Sequence, residues 1–293
     1  MNKDIKKSIR LVEFDKAHLS KYANSIGAGK GAVEKDFLIS TIFMLLAYDG
    51  HFAEFSEKAV FRGGTCIKKA YYPDDARLSE DLDFMGLTLT EMKSLREILQ
   101  GLVEEDLGVT SVTEVRTMDE RPTWLNLGLY YRSVLGQVNH IMFDLDSGTP
   151  TIPPTKRSID VKPYYQSYEP EILVMDMAEI LAEKMRALLQ RAKPRDVFDI
   201  WFLTTKKRVK VNHELLKEKL MRNYEAAPED AKEATSFYSI DKTVDKIQEL
   251  GDTPWRQELG GLLLKNSPPR QTIVSRVSQT LKKVGDIRLV SRN

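Results

Sequence analysis

The spacing of apolar residues along the first half of the chain changes period several times, and each change marks an element. Phe37, Ile42, Leu45 and Leu46 recur at helical spacing and predict a helix over residues 34–48, capped by Asp36. Val60-Phe61 predicts a short strand that runs into Gly63, and Thr65 to Tyr71 a short helix stopped by Pro73. From Asp81 to Leu87 the period is two, so Asp81 and Asp83 share one face and Leu82 and Phe84 the other. Helical spacing returns from Thr90 to Leu107, with Leu95, Ile98, Leu99 and Leu102 on one stripe and Gly108 as terminator. Residues 109–117 are rich in Val and Thr and predict a strand. Two alternations, Leu125-Leu127-Leu129 and Ile141-Phe143-Leu145, flank a Ser133–Gly136 turn and predict a hairpin.

Five prolines between Gly148 and Pro170 interrupt this pattern and set the expected boundary, dividing the chain into residues 1–155 and 156–293. From Asp176 onward the spacing is mainly helical. Asp230 to Gly251 is polar and weakly periodic, and the tail after Pro269 is expected to be partly mobile. The order of elements predicts an α+β fold, with a mixed sheet flanked by helices followed by a mainly helical C-terminal domain.

Composition narrows the setting. The single cysteine, Cys66, excludes an intramolecular disulfide and suits a reducing cytoplasm; it reads as a small space-filling side chain behind a turn. The longest apolar run, Phe37 to Tyr48, contains Ser40 and Thr41 and is too short to cross a bilayer, and the N-terminus has no apolar signal core. A cytoplasmic protein with no membrane partner is expected. The net charge of +1 conceals an asymmetry. Residues 204–222 hold seven Lys/Arg against two Glu, and residues 265–293 seven against one Asp. These segments read either as a surface for a polyanion or as solvated helix faces.

The chemistry is concentrated between Phe61 and Phe84. A Gly63-Gly64-Thr65 turn opens a short helix, a place that favours phosphate oxygens. The Asp81/Asp83 face supplies two carboxylates for divalent cations. Phosphate on one side and metal carboxylates on the other suit phosphoryl or nucleotidyl transfer. In the hairpin, Asp144 and Asp146 share a face with His140. Asp144 is favoured as a third metal carboxylate, whereas Asp146, next to Ser147-Gly148, reads as a turn cap. The histidines at 18, 51, 140 and 213 have no zinc-ligand spacing. Further on, Lys184 lies within the apolar stripe formed by Met177, Ile180, Leu181 and Leu188, where an ammonium needs a partner. Asp196 and Asp199 follow on the next helix, after Pro194, and Arg195 and Asp199 are spaced for an i,i+4 pair.

The first block, Gly63-Gly64-Thr65, Lys69, Arg77, Ser79, Asp81 and Asp83, resembles the AbiEii/MenT toxin family of the DNA polymerase β-like nucleotidyltransferase superfamily. A second block, residues 182 to 201 with Lys184, Arg195, Asp196 and Asp199, resembles the family's downstream motifs, and Glu34-Lys35-Asp36 a short early one. Arg62 stands where Lys is common and Leu78 where Phe is common. The resemblance implies a toxin that uses Mg²⁺ and transfers a nucleotidyl group from an NTP, most simply to a tRNA 3′ end. It would block translation and growth in a type IV toxin–antitoxin or phage abortive-infection system. It also implies a C-terminal domain that completes the active site, and a separately encoded winged-helix repressor as antitoxin, with or without a stable complex. The alternative acceptor is a protein or a small molecule. In this reading Asp81, Asp83 and Asp144 hold metal, and Gly63, Gly64, Thr65, Lys69 and Ser79 surround the nucleotide. Arg77 contacts phosphate or pairs with Asp74 or Asp75, and Lys68 is solvent-exposed. Lys184 contacts phosphate, while Asp196 either holds Lys184 or acts as a base.

Overall fold

The computed structural model describes residues 15–48, 51–101, 111–166 and 169–289. The chain folds as two compact units: residues up to Met175 with Gly261–Lys265, and Asp176–Gly260 with Asn266 onward. Among the described residues no helix is long and apolar enough to cross a membrane.

The first unit is built on a seven-stranded mixed sheet. Its strands are β1 (Val60–Arg62), β2 (Asp81–Met85), β3 (Ser111–Arg121), β4 (Trp124–Arg132), β5 (Val138–Asp146), β6 (Thr155–Ser158) and β7 (Glu171–Val174), in the order β3-β4-β5-β2-β1-β7-β6. β2 runs parallel to β5 and antiparallel to β1, while β1 runs parallel to β7. Alternation decides what each face does. Leu82 and Phe84, Leu125, Leu127 and Leu129, and Ile141, Phe143 and Leu145 are all buried on one face.

That face is covered by α2 (Lys30–Tyr48) and α3 (His51–Lys58), which follow α1 (Lys16–Ile26). α2 is buried almost all round from Val33 to Leu46. Its Phe43 ring lies 5.2 Å from Phe61 and 6.5 Å from Phe84, and Phe55 of α3 lies 5.0 Å from Phe84. The helix expected at residue 34 therefore starts earlier, and Asp36 is an interior residue rather than a cap. α5 (Leu89–Gln100) opens on a Thr88/Glu91 capping box and buries Leu95 and Leu99. Leu102, Leu107 and Gly108 lie outside the described residues.

The 133–137 turn makes β4 and β5 the expected hairpin, paired from Trp124↔Asp146 to Arg132↔Val138. The break between units falls after Met175, not at residue 155. The proline-rich stretch interrupts the sheet without ending it, because β6 and β7 then add to the free side of β1. Gly261–Lys265 returns to this unit as a strap. The Leu262 carbonyl accepts from the Leu78 N–H at 2.9 Å, the Gly261 carbonyl from the Gly29 N–H at 2.8 Å, and the Lys265 N–H donates to Ile26 at 2.9 Å.

The second unit is mainly helical. It contains α6 (Met177–Arg191), α7 (Pro194–Trp201), α8 (His213–Ala226), α9 (Lys232–Thr235), α10 (Ile240–Glu249), α11 (Asp252–Leu259) and α12 (Arg270–Val284), with a small β8 (Phe237–Tyr238)/β9 (Ile287–Arg288) pair. α6 packs on α7 and α8, and α12 on α7 and α10. The segment after Pro269, expected to be partly mobile, is instead a helix that buries Ile273, Val274, Val277 and Leu281. Likewise the polar 230–251 stretch contains α10, which buries Ile240, Val244 and Ile247.

Candidate active site

The polar face of the sheet centre is assembled by strand register. Arg62 is opposite Asp83 across β1 and β2, and Asp83 is opposite Asp144 across β2 and β5. Asp81, Asp83 and Asp144 are therefore on one face, each half-buried. β1 ends at Gly63, whose φ of +78° is a left-handed conformation that favours glycine. A Cβ at Gly63 would stand 2.1 Å from Asp83 Oδ2, so the turn lies directly against that carboxylate. A Cβ at Gly64 would stand 3.0 Å from both Arg77 Nη2 and Ser79 Oγ. The chain continues as α4 (Gly63–Cys66) and a wider π turn over Ile67–Tyr71. Thr65, fully buried, donates its hydroxyl to the Asp81 carbonyl and ties this turn to the carboxylate strand. Gly63, Gly64, Thr65, Ser79, Asp81 and Asp83 are thus brought together from two stretches of the chain, 63–65 and 79–83.

The two hairpin carboxylates differ as their neighbours suggest. Asp146 accepts from Arg62 Nη2 at 3.3 Å and from the Gly148 N–H at 2.6 Å, the contacts of a turn cap. Asp144 stands beside Asp83 and accepts from Asn126 Nδ2. Asn126, on the same face, was not singled out from the sequence, although an amide inside a leucine alternation marks the polar face. Among the described residues no group of three or more His, Cys, Asp or Glu is gathered closely enough to hold a metal ion. The donor set that fits a divalent cation is the Asp81/Asp83 pair. Mg²⁺ commonly takes one or two carboxylates and fills the rest of its shell with water and substrate phosphate.

Two lysines are placed otherwise than expected. Lys69 is 1% exposed, with Nζ 2.8 Å from Asp36 Oδ1 and 2.9 Å from Ser40 Oγ. It is an internal strut between the π turn and α2, where a triphosphate contact was expected. Lys68, expected in solvent, is buried and donates to the Pro73 carbonyl, and burial lowers its pKa. Arg77 is also buried and donates to the Leu78 carbonyl at 2.9 Å. Burial pushes the Cys66 thiol well above its usual range, so it is a packed side chain and not a thiolate.

The Glu34-Lys35-Asp36 triplet has a physical explanation. Glu34 accepts from the Ser133 hydroxyl at 2.6 Å and the Val134 N–H at 2.8 Å, fixing the hairpin turn. Lys35 lies 3.4 Å from Glu80, and Asp36 holds Lys69 and accepts from the Tyr164 hydroxyl at 3.1 Å. One helical turn thus clamps three separate parts of the unit.

On the second unit, Lys184 Nζ lies 2.8 Å from Asp199 Oδ2 and 3.8 Å from Asp196 Oδ1. Asp196 is 1% exposed and is gripped by Arg191 Nε at 2.9 Å and Nη2 at 3.3 Å. Lys184 therefore finds the partner that its apolar stripe demands, and the nearer one is Asp199. Arg195 Nε donates to the Glu258 carbonyl at 3.4 Å. Lys219 is buried against Glu179 and Glu183 and so is withdrawn from the basic 204–222 surface.

The solved structures that resemble this chain share its fold. MenT4, a nucleotidyltransferase toxin of Mycobacterium tuberculosis H37Rv, superposes with a TM-score of 0.68 at 17% identity, covering 92% of this chain and 88% of its own. JHP933 of Helicobacter pylori gives a TM-score of 0.53 at 13% identity, covering 88% of this chain and 93% of its own. Curated protein sequences give no match. The family described as nucleotidyl transferase AbiEii toxin, type IV TA system, matches residues 46–279, a span that contains the Gly63-Gly64 turn, both carboxylates and the Lys184 block. The chain therefore belongs to the AbiEii nucleotidyltransferase toxins of type IV toxin–antitoxin systems.

Proposed function

We propose that this toxin transfers a nucleotidyl group from an NTP to the 3′ end of an RNA, tRNA foremost, and so arrests translation and growth, including during phage infection. The observation that carries the reading is the Gly63 turn pressed against Asp83, with Asp81 beside it on the same face. A bound Mg²⁺ would neutralise triphosphate charge and lower the pKa of the attacking hydroxyl. Asp81 and Asp83 are the residues that would hold it, with Asp144, whose Oδ1 accepts from Asn126, as a third carboxylate beside Asp83. Ser79, beside Gly64, offers a hydroxyl to phosphate. Lys184, oriented by Asp199, offers a charge-assisted donor to phosphate. The acceptor 3′ oxygen bonds to the α-phosphorus, pyrophosphate leaves, and the hydroxyl proton passes to solvent or a base. The double Arg191 contact favours a positioning role for Asp196 over a base. Exposed Lys206, Arg208 and Lys210 support a polyanionic acceptor. The cognate antitoxin is proposed to be a winged-helix repressor that need not form a stable complex with the toxin.

The test incubates the protein with each α-labelled NTP, Mg²⁺ and either total cellular RNA or total protein. Label should enter RNA with wild type and not with Asp83→Asn. Label entering protein alone would replace the RNA acceptor by a protein, and equal labelling by Asp83→Asn would remove Asp83 from the chemistry.

A further inference from the structure

The sheet face that carries the carboxylates continues beyond them. Along β4 it presents Asn126, Gly128 and Tyr130, opposite Asp144, Met142 and His140 of β5. On β3, Glu114 is opposite Tyr130 and Arg116 opposite Gly128. Four residues of strand put Tyr130 roughly 13 Å from Asn126. At that distance three planar groups meet. The Arg116 guanidinium is 4.7 Å from the Tyr130 ring centroid, and the His140 ring is 5.4 Å away at a 36° tilt. Met118 stands 51% exposed beside them, its sulfur accepting from the Tyr130 hydroxyl at 3.7 Å. A Cβ at Gly128 would lie 2.9 Å from Tyr130 Cε2, so the ring leans along the strand over the glycine, toward the carboxylates. Glu114 holds Arg116 by one edge at 2.7 Å, which turns the guanidinium plane into a stacking surface. The apolar core does not need these groups, because Leu129, Tyr131 and Ile141 fill it on the opposite face.

We propose that Arg116, Tyr130 and His140 form a base-stacking platform that leads the single-stranded 3′ end of the RNA acceptor to Asp81 and Asp83. This rests on the RNA-acceptor reading above. Unpaired bases stack on aromatic and guanidinium planes displayed on a sheet, with little dependence on sequence. Phosphates are not the handle here, since Glu114 sits in the cluster. Binding at the platform should therefore respond weakly to salt, unlike binding at the exposed lysines.

The test uses a fluorescein-labelled single-stranded RNA with a free 3′ hydroxyl, followed by anisotropy. Tyr130→Leu, which keeps apolar area and loses the plane, should weaken binding by about tenfold or more at both low and high salt. Tyr130→Phe should bind like wild type, and neither variant should change NTP affinity. As a second measurement that needs no variant, a thiouridine near the 3′ end should cross-link within residues 111–146 of the wild-type protein. Equal RNA affinity in a folded Tyr130→Leu, or a cross-link that maps elsewhere, overturns the platform and leaves the acceptor reading standing. A loss of NTP affinity in Tyr130→Leu with RNA binding intact assigns the ring to the donor base and overturns the proposal. Wild-type protein that binds no RNA and labels only protein overturns the acceptor reading and the platform together.

Discussion

Replacing Gly63 by alanine adds one methyl group where the backbone touches the Asp83 carboxylate, and the consequences for fold and chemistry separate. An L residue in the left-handed region, here at φ +78°, costs about 1–2 kcal/mol. The new Cβ would stand 2.1 Å from Oδ2 and 2.9 Å from Cγ of Asp83. An ordinary carbon–oxygen contact is about 3.3 Å, so the carboxylate must retreat by about 1 Å. It is the end of a side chain and can swing away, which limits the damage to the fold. At about 2–4 °C per kcal/mol the melting temperature should fall by only a few degrees. A reacting group displaced by about 1 Å, however, costs on the order of 100-fold in rate. The assay is single-turnover label transfer at saturating NTP, paired with a thermal melt. Gly31→Ala is the control: it lies in α2 with nothing within 4 Å of an added Cβ, so activity should hold and stability rise by up to about 1 kcal/mol. A Gly63→Ala enzyme that turns over like wild type would mean that Asp83 need not be where the turn holds it.

Three other outcomes test the remaining assignments. Lys69→Met strands the buried Asp36 carboxylate and should cost about 3–5 kcal/mol in urea unfolding, with KM for NTP unchanged in the folded fraction; a raised KM with full stability would return Lys69 to the nucleotide. Lys184→Met combined with Asp199→Asn removes both charges of the 2.8 Å pair, so the unit should stay folded while NTP binding, measured by calorimetry, weakens; unchanged affinity would make Lys184 structural. The pKa of Glu91 is lowered to about 2, first by the hydrogen bond from Lys58 and then by the Thr88 N–H. A depressed carboxylate stabilises above its unfolded value near 4.5 and loses that contribution as pH falls toward about 2, so the stability gap between wild type and Glu91→Gln should narrow over that window. A gap that stays constant would contradict the assignment.

What could be read from the sequence was what spacing encodes. Period-two alternation located β2, β4 and β5, and with them the shared face of Asp81, Asp83 and Asp144. It could not find β6, because Thr155–Ser158 is exposed throughout and has no apolar side to alternate. The domain boundary was misplaced for the same reason: a proline-rich stretch marks an interruption, and only strand pairing tells whether the sheet resumes. Lys69 shows the other limit. Its position in the turn was legible, but the direction of its side chain was set by Asp36, 33 residues earlier on a helix expected to use that aspartate as a cap. Lys184 was the opposite case, since an ammonium in an apolar stripe announces its need for a partner, and the structure supplies Asp199.

The Gly261–Lys265 strap bears on when this protein first becomes an enzyme. Leu78, three residues ahead of Asp81, has its N–H latched by the Leu262 carbonyl, and Gly29 at the start of α2 is latched by Gly261. Every proposed carboxylate ligand is translated early, yet the latch that steadies their strand is translated after most of the second unit. A chain released at Met175 carries Asp81, Asp83 and Asp144 but lacks both the Leu262 latch on Leu78 and Lys184, and it should transfer no label. Termination ahead of Leu262 would then yield inert fragments, and a ribosome making this toxin would be exposed to its activity only after the strap has been added.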